Sequence, residues 1–306
     1  MTQNTQQNTQ QKTAQNTNSV LMIRPSNFGY NPQTSIDNIF QNNTNLQNVN
    51  GLAQQEFDNL VKILQNNDVS VTVFQDEINS QTPDSIFLNN WFSTFGQRLV
   101  LYPMYAQNRR LERKKPLLDF LNTRYNHNST LDITKWEQDN KFLEGTGSMV
   151  IDHINKTILG CISQRTNAKA LEDFAQMVGY VGVGFEAKIN GSPIYHTNVM
   201  MGIGTDWMVV CEEAIMTGLE QVQKCYEDRE VIKISLEQVD SFCGNIIELM
   251  DSKDQKIVVM STKAYNSFSV AQKAQFQKYA KIIHSDVSTI ESVGGGGVRC
   301  MIAELF

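Results

Sequence analysis

The chain of 306 residues has little of what marks several protein classes. No apolar run approaches the roughly 18 residues needed to cross a bilayer, which speaks against a membrane-spanning protein. No basic stretch leading into an apolar one opens the chain, so no secretory leader is expected. The 5 cysteines, Cys161, Cys211, Cys225, Cys243 and Cys300, are odd in number and include no CxxC pair. That suits a reducing, cytoplasmic setting better than a disulfide framework or a cysteine zinc site. Positive charge is also short: 26 Lys and Arg stand against 32 Asp and Glu, a net −6 that argues against a nucleic-acid partner. The single basic cluster, Arg109, Arg110, Arg113, Lys114 and Lys115, reads mainly as solvated helix surface.

What is present is 41% apolar, enough for a sizeable core. Residues 1–18 are almost all Gln, Asn and Thr, too polar to offset their ordering entropy, and read as a disordered tail. Residues 19–306 read as one mixed α/β domain. A strand at Val20–Ile23 is followed by an Asn/Gln-rich loop from Phe28 to Asn50 that would cover part of a site. Leu52, Phe57, Leu60, Val61 and Leu64 recur at helical spacing, and Val69–Phe74 alternates as a strand. Strand-like pieces follow at Ser85–Leu88, Phe92–Thr94 and Leu99–Tyr102, then a helix from Arg109 to Tyr125. Hairpins are predicted at Ser148–Ile151 with Thr157–Gly160, Val199–Met201 with Trp207–Val210, and Ile246–Met250 with Lys256–Met260. Helices at Ala168–Val178, Glu212–Tyr226 and Ser269–Tyr279 follow them, each leading to a strand. A hairpin, a helix and a strand thus recur four or five times, which argues for repeated modules rather than a doubly wound sheet.

Polar residues sit at the mouths of these modules. They occur in Asp84–Trp91, in Phe142–Ser148, in Tyr195–Val199 and in the terminal run Gly294–Gly295–Gly296–Gly297–Val298–Arg299–Cys300. Four glycines remove every Cβ beside the cysteine, which suits either a nucleophile at a strand entrance or a tight turn into a core strand with a buried, inert thiol. His196 beside a strand suits a catalytic or a structural role, and Asn89 and Asn90 suit ligands or turns. His127, His153 and His284 read as structural or surface groups.

Five patterns, in this order, resemble the guanidine-modifying enzymes, or pentein superfamily: Asp84-x-x-Phe87-x-x-Asn90, Leu143-Glu144-Gly145, Ser163-Gln164-Arg165-Thr166-Asn167, His196-x-Asn198, and the glycine run into Cys300. The resemblance implies a five-bladed, pseudo-fivefold α/β propeller. It implies Cys300 as nucleophile, His196 as general acid/base and Glu144 as its acidic partner. It implies Arg165, with Arg109 or Arg110, as ligands of a substrate α-carboxylate, and Asp84 as the ligand of its α-ammonium. It requires no metal or other cofactor.

Members that act on arginine carry a carboxylate where this chain has Asn90 and, in the deiminases, another where it has Asn198, and Asn89 is a further amide where the dimethylarginine hydrolases have an acid. An amide both donates and accepts, which suits a neutral ureido group better than a guanidinium. The branch most resembled is the citrulline hydrolases, which implies hydrolysis of free citrulline to ornithine through a Cys300 thiolate and an S-carbamoyl intermediate. Alternatives are an arginine-like substrate and a non-catalytic amino-acid-binding protein. The expected partner is a small amino acid, with neither nucleic acid nor membrane, and a homo-oligomer is compatible with all of this.

Overall fold

A computed structural model describes residues 14–44, 46–78, 80–95, 98–124 and 130–306. The first thirteen residues of the expected tail, Tyr125 and His127 lie outside the described residues. Seventeen strands are described: β1 (Ser19–Arg24), β2 (Ser70–Gln75), β3 (Phe92–Phe95), β4 (Arg98–Leu101), β5 (Leu131–Asp132), β6 (Met149–Asp152), β7 (Thr157–Cys161), β8 (Val181–Ile189), β9 (Ser192–Pro193), β10 (Met201–Ile203), β11 (Trp207–Val210), β12 (Ile215–Thr217), β13 (Glu230–Lys233), β14 (Ile247–Met250), β15 (Lys256–Ser261), β16 (Lys281–Ser285) and β17 (Ala303–Glu304).

They form five sheets with one shared pattern, two antiparallel strands followed by a parallel one. The sheets are β17-β1-β2, β3-β4-β5, β6-β7-β8 with β12 and β9 added, β10-β11-β13, and β14-β15-β16. The first is completed by the C-terminal strand, where Val20 stands opposite Glu304. A parallel partner needs a crossover, and helices supply it. Between β1 and β2, the helix Val49–Asn66 buries Ala53, Phe57, Leu60, Val61 and Leu64, one stripe at 3.6-residue spacing. Leu60 is fully buried, a gain of about 1.5–3 kcal/mol for such a side chain. Between β7 and β8, the helix Ala168–Val178 starts where the Asn167 side chain accepts from the Ala170 amide at 3.0 Å. It ends at Gly179, whose φ of 76° suits glycine.

The mixed α/β reading and the recurrent hairpins hold, while several local expectations do not. Ser85–Leu88 is turn, not strand: the Phe87 amide donates to the Asp84 carbonyl at 2.9 Å. The helix expected over Arg109–Tyr125 is two helices, Gln107–Arg110 and Lys115–Arg124, because the Pro116 ring would clash with the carbonyl four residues back. The helix expected from Glu212 to Tyr226 is a 3-10 turn, β12 and a short helix Leu219–Lys224, separated by Gly218 at φ 84°. Cys300 lies not in a strand but in the 3-10 turn Val298–Met301 that precedes β17.

The end of the expected tail is also packed. Gln15, Asn16 and Thr17 are buried. The Gln15 carboxamide donates to the Ile151 carbonyl and accepts from the His153 amide, both at 2.9 Å. Asn16 donates to Glu248 at 2.6 Å, and Thr17 to the Leu305 carbonyl at 3.0 Å. No described helix is long and apolar enough to cross a membrane.

Candidate active site

The same local device precedes the first strand of every sheet. A tight turn brings each amide back onto the carbonyl three residues earlier: Asn90 onto Phe87 at 3.4 Å, Gly147 onto Glu144 at 3.0 Å, Val199 onto His196 at 3.3 Å, Asn245 onto Phe242 at 2.9 Å and Cys300 onto Gly297 at 3.1 Å. The turns pack together, and glycine marks the closest approaches. A Cβ on Gly147 would fall 2.3 Å from the Asn90 amide nitrogen and 2.7 Å from the His196 ring. A Cβ on Gly294 would fall 2.6 Å from the Phe87 ring. The glycine run therefore lets the cysteine turn lie against its neighbours.

Cys300, His196 and Glu144 are all buried. The His196 Nε2 lies 2.8 Å from the Glu144 Oε2. The other oxygen of Glu144 accepts from the Tyr105 amide at 2.9 Å. Burial alone would raise the Glu144 pKa, but the His196 hydrogen bond and the Arg165 charge outweigh it and lower it to about 2. The carboxylate therefore holds Nε2 as a donor, which leaves Nδ1 as the basic lone pair facing Gly147. Burial holds the His196 pKa below its usual range, with Glu144 opposing only in part. Burial likewise pushes the Cys300 thiol up, against hydrogen bonds from Asn245, the Gly297 backbone and Asn198. Both shifts run toward the uncharged forms, because desolvation outweighs the local stabilisation of either charge.

Around the sulfur stand carboxamides. The Asn245 Nδ2 donates to Sγ at 3.2 Å and the Asn198 Nδ2 at 3.5 Å. Asn90 lies one step away: its Oδ1 accepts from the Arg109 Nη1 at 2.6 Å and its Nδ2 donates to the Asn89 Oδ1 at 3.1 Å. Asn89 is spent on bracing, since its Nδ2 donates to the Thr146 hydroxyl at 3.0 Å.

The expected amino-acid grip is only partly open. Asp84 Oδ2 accepts from Asn31 at 2.7 Å and Thr34 at 2.9 Å, whereas its Oδ1 is buried with no partner among the described residues. Arg109, expected beside the α-carboxylate, is committed elsewhere. Its Nε and Nη2 donate to the two Glu112 oxygens at 2.8 and 2.9 Å, and Nη2 also reaches the Phe87 carbonyl at 2.9 Å. A fork already matched to a carboxylate braces Asn90 rather than awaiting a ligand. Arg110 turns to the Met104 and Tyr105 carbonyls at 2.9 and 3.3 Å. Arg165 lies over the Tyr195 ring at 4.7 Å. It donates to both Asp37 oxygens and to the Thr34 carbonyl. The loop that carries Asn31, Thr34 and Asp37 also holds the glycine run, with Gln41 donating to the Gly294 carbonyl at 2.9 Å. It thus packs against Asp84, Arg165 and the glycine run.

Asn245, Asp37 and Glu112 escaped the sequence reading. Asp37 and Glu112 lack any local pattern, but Asn245 had a signal: it occupies, in the fifth module, the place that Asn90 and Cys300 hold in theirs. All five cysteines are free. Among the described residues, no group of three or more His, Cys, Asp or Glu is placed to hold a metal ion.

Residues 24–306 match the family described as "N,N dimethylarginine dimethylhydrolase, eukaryotic". No curated protein matches. Among solved structures, the substrate-bound N-terminal domain of ArgZ, an arginine dihydrolase from the cyanobacterial ornithine-ammonia cycle, is similar at TM-score 0.74 and 14% identity, over 94% of this chain and 97% of that one. AgrE in complex with ornithine and NAD+ is similar at TM-score 0.72 and 15% identity, over 94% and 39%. A dimethylarginine dimethylaminohydrolase adduct is similar at TM-score 0.67 and 14% identity, over 94% and 99%. The chain spans about 40% of full-length ArgZ. At these identities the structures speak for the mixed α/β fold, and the family match supplies the rest: this chain belongs to the dimethylarginine hydrolase family of the guanidine-modifying pentein superfamily.

Proposed function

We propose that residues 19–306 form one five-bladed, pseudo-fivefold catalytic domain, and that it hydrolyses free citrulline to ornithine, ammonia and carbon dioxide. The observation that carries the substrate reading is where the carboxylates are spent. Glu144 is paired with His196, Glu112 with Arg109 and Asp37 with Arg165, and the groups reaching the sulfur are the amides of Asn198 and Asn245. A guanidinium would find no uncommitted carboxylate among these three, whereas amide N–H groups suit a ureido oxygen.

In this reading Asp84 Oδ1 takes the α-ammonium. The α-carboxylate replaces Asp37 on Arg165 as the covering loop opens and closes. Substrate binding brings the Cys300 proton to the His196 Nδ1, and the sulfur attacks the ureido carbon. The His196 proton passes to the departing δ-nitrogen as its bond to carbon breaks, because an unprotonated alkylamine leaves poorly. Ornithine departs. Water, giving a proton back to His196, attacks the S-carbamoyl carbon; the carbon–sulfur bond breaks, Cys300 recovers its proton, and carbamate decays to ammonia and carbon dioxide.

A second reading, hydrolysis of arginine itself, is favoured by the likeness to arginine dihydrolases. Incubation with citrulline, arginine and dimethylarginine separately, with identification of the amino-acid product, decides between them. Ornithine from citrulline, with arginine and dimethylarginine untouched, is the expected result. Citrulline or ornithine from arginine supports the second reading, and no turnover of any of the three refutes both.

A further inference from the structure

Four of the five turns that converge on the site carry Asn90, Glu144, His196 with Asn198, and Cys300. The fifth ends in Asn245, just before β14. Its side chain is buried and fully matched. Nδ2 donates to the Cys300 sulfur at 3.2 Å and to the Asn198 carbonyl at 3.1 Å, and Oδ1 accepts from the Arg299 amide at 3.1 Å. Only one orientation of the amide satisfies these partners. The two acceptors need the NH2 end and the backbone N–H needs the oxygen, so the end facing the sulfur is a donor.

The backbone is shaped to allow this. A Cβ on Gly244 would lie 2.5 Å from the Val199 carbonyl, and one on Gly297 would lie 2.8 Å from the Asn245 oxygen. Glycine at both places lets the asparagine turn press between the Asn198 and Cys300 turns. The Asn245 contact is shorter than that from Asn198, at 3.5 Å. The site lacks any cation bonded to the sulfur among the described hydrogen bonds. A thiol in this setting needs a donor that is already aimed, since a fixed dipole costs no reorganisation as the charge develops.

We propose that Asn245 is a catalytic residue, a preorganised donor that stabilises the Cys300 thiolate as the thiol proton passes to His196 Nδ1, and again when the carbon–sulfur bond breaks and returns the electron pair to sulfur. This rests on Cys300 as the nucleophile but not on citrulline as the substrate. The same amide, through Arg299 and Asn198, sets the spacing of the two neighbouring turns.

The test is the pH dependence of Cys300 alkylation by iodoacetamide in the full chain, with the adduct located by peptide mass spectrometry. Wild type, Asn245→Ala, the similarly sized Asn245→Leu and Asn198→Ala are compared. Loss of a hydrogen bond to an ionised group should move the midpoint up by about one unit or more, so that alkylation below the midpoint slows about tenfold in Asn245→Ala and Asn245→Leu. Asn198→Ala should move it less. Turnover in the Asn245 variants should fall in kcat by a similar factor with little change in KM. A residue that only supports the fold would lower stability and leave the midpoint in place, so an unchanged midpoint in whichever of the two Asn245 variants folds overturns the proposal. Because alkylation needs no substrate, failure of the citrulline reading leaves this result standing. Adducts at another cysteine that abolish turnover, with Cys300 unmodified, would overturn the nucleophile on which both rest.

Discussion

Replacing an amide of the site by a carboxylate should favour arginine over citrulline, but unequally at the two positions. In Asn90→Asp the new carboxylate replaces an oxygen that lies 2.6 Å from the Arg109 Nη1. Arg109 would satisfy it at once, so little negative charge is left for a ligand. In Asn198→Asp the carboxylate replaces an amide 3.5 Å from the Cys300 sulfur, where no arginine bonds to the side chain. Two unit charges about 4 Å apart interact by about 4 kcal/mol at an effective dielectric constant near 20. Net hydrogen bonds to charged groups are worth about 1.5–3 kcal/mol once desolvation is counted. The arginine-to-citrulline affinity ratio should therefore rise by roughly one to two decades in Asn198→Asp and by less than about one decade in Asn90→Asp. Calorimetric titration of both amino acids in a Cys300→Ala background measures binding without turnover. An equal or larger shift in Asn90→Asp would refute the bracing role given to Arg109.

Other outcomes follow from the same contacts. Asp37→Asn should lower KM for the amino acid several-fold with kcat little changed, because the α-carboxylate no longer displaces a charged, doubly bonded rival from Arg165; a raised KM in steady-state assays would make Asp37 part of the grip. Glu144→Gln should cost about two to four decades in kcat, the usual range for disabling a general acid/base, and KM should change much less. Glu291, on the helix Ser288–Gly294 that leads into the glycine run, has both carboxyl oxygens buried without a hydrogen-bond partner among the described residues, and burial raises its pKa from 4.5 to about 7. The folded state therefore holds this proton more tightly than the unfolded one, and its stability falls as pH rises from about 4.5 to 7. Glu291→Gln should remove about 3 kcal/mol of penalty at pH 8 and little at pH 4.5. Melting temperatures of variant and wild type should diverge across that window, and parallel curves would show that Glu291 is ionised at no cost.

Much of this arrangement was legible in the sequence because it rests on local rules. The stripe of Phe57, Leu60 and Leu64 marks its helix by period alone, and the hairpins show as alternating runs between turn residues. Cys300, His196 and Glu144 stood out because each sits beside a glycine or a turn at the mouth of a strand. Their meeting, with His196 and Glu144 at 2.8 Å, was not visible by spacing, since 52 residues separate them, and it came from the resemblance. Asp37 and Glu112 could not be read, because a carboxylate's partner is fixed by tertiary packing. The commitment of Arg109 was lost for the same reason: three residues apart, Arg109 within a short helix and Glu112 just past its cap, the two pair only because both are turned inward. Gln15 and Asn16 failed in another way. Composition shows that such a segment cannot build an apolar core, but these side chains serve as hydrogen-bonding groups against β6 and Glu248. Asn245 lay just before what read as the start of a strand at Ile246, and only the repetition of the turns gives it a place.

The most direct test of the central claim is to mix the protein with citrulline labelled at the ureido carbon, quench during turnover, and map the label. The account predicts a labelled carbamoyl group on Cys300, absent in Cys300→Ser, which should fold normally and release no ornithine. Label that never attaches to Cys300 while ornithine accumulates, or an adduct that forms only from labelled arginine, would contradict it.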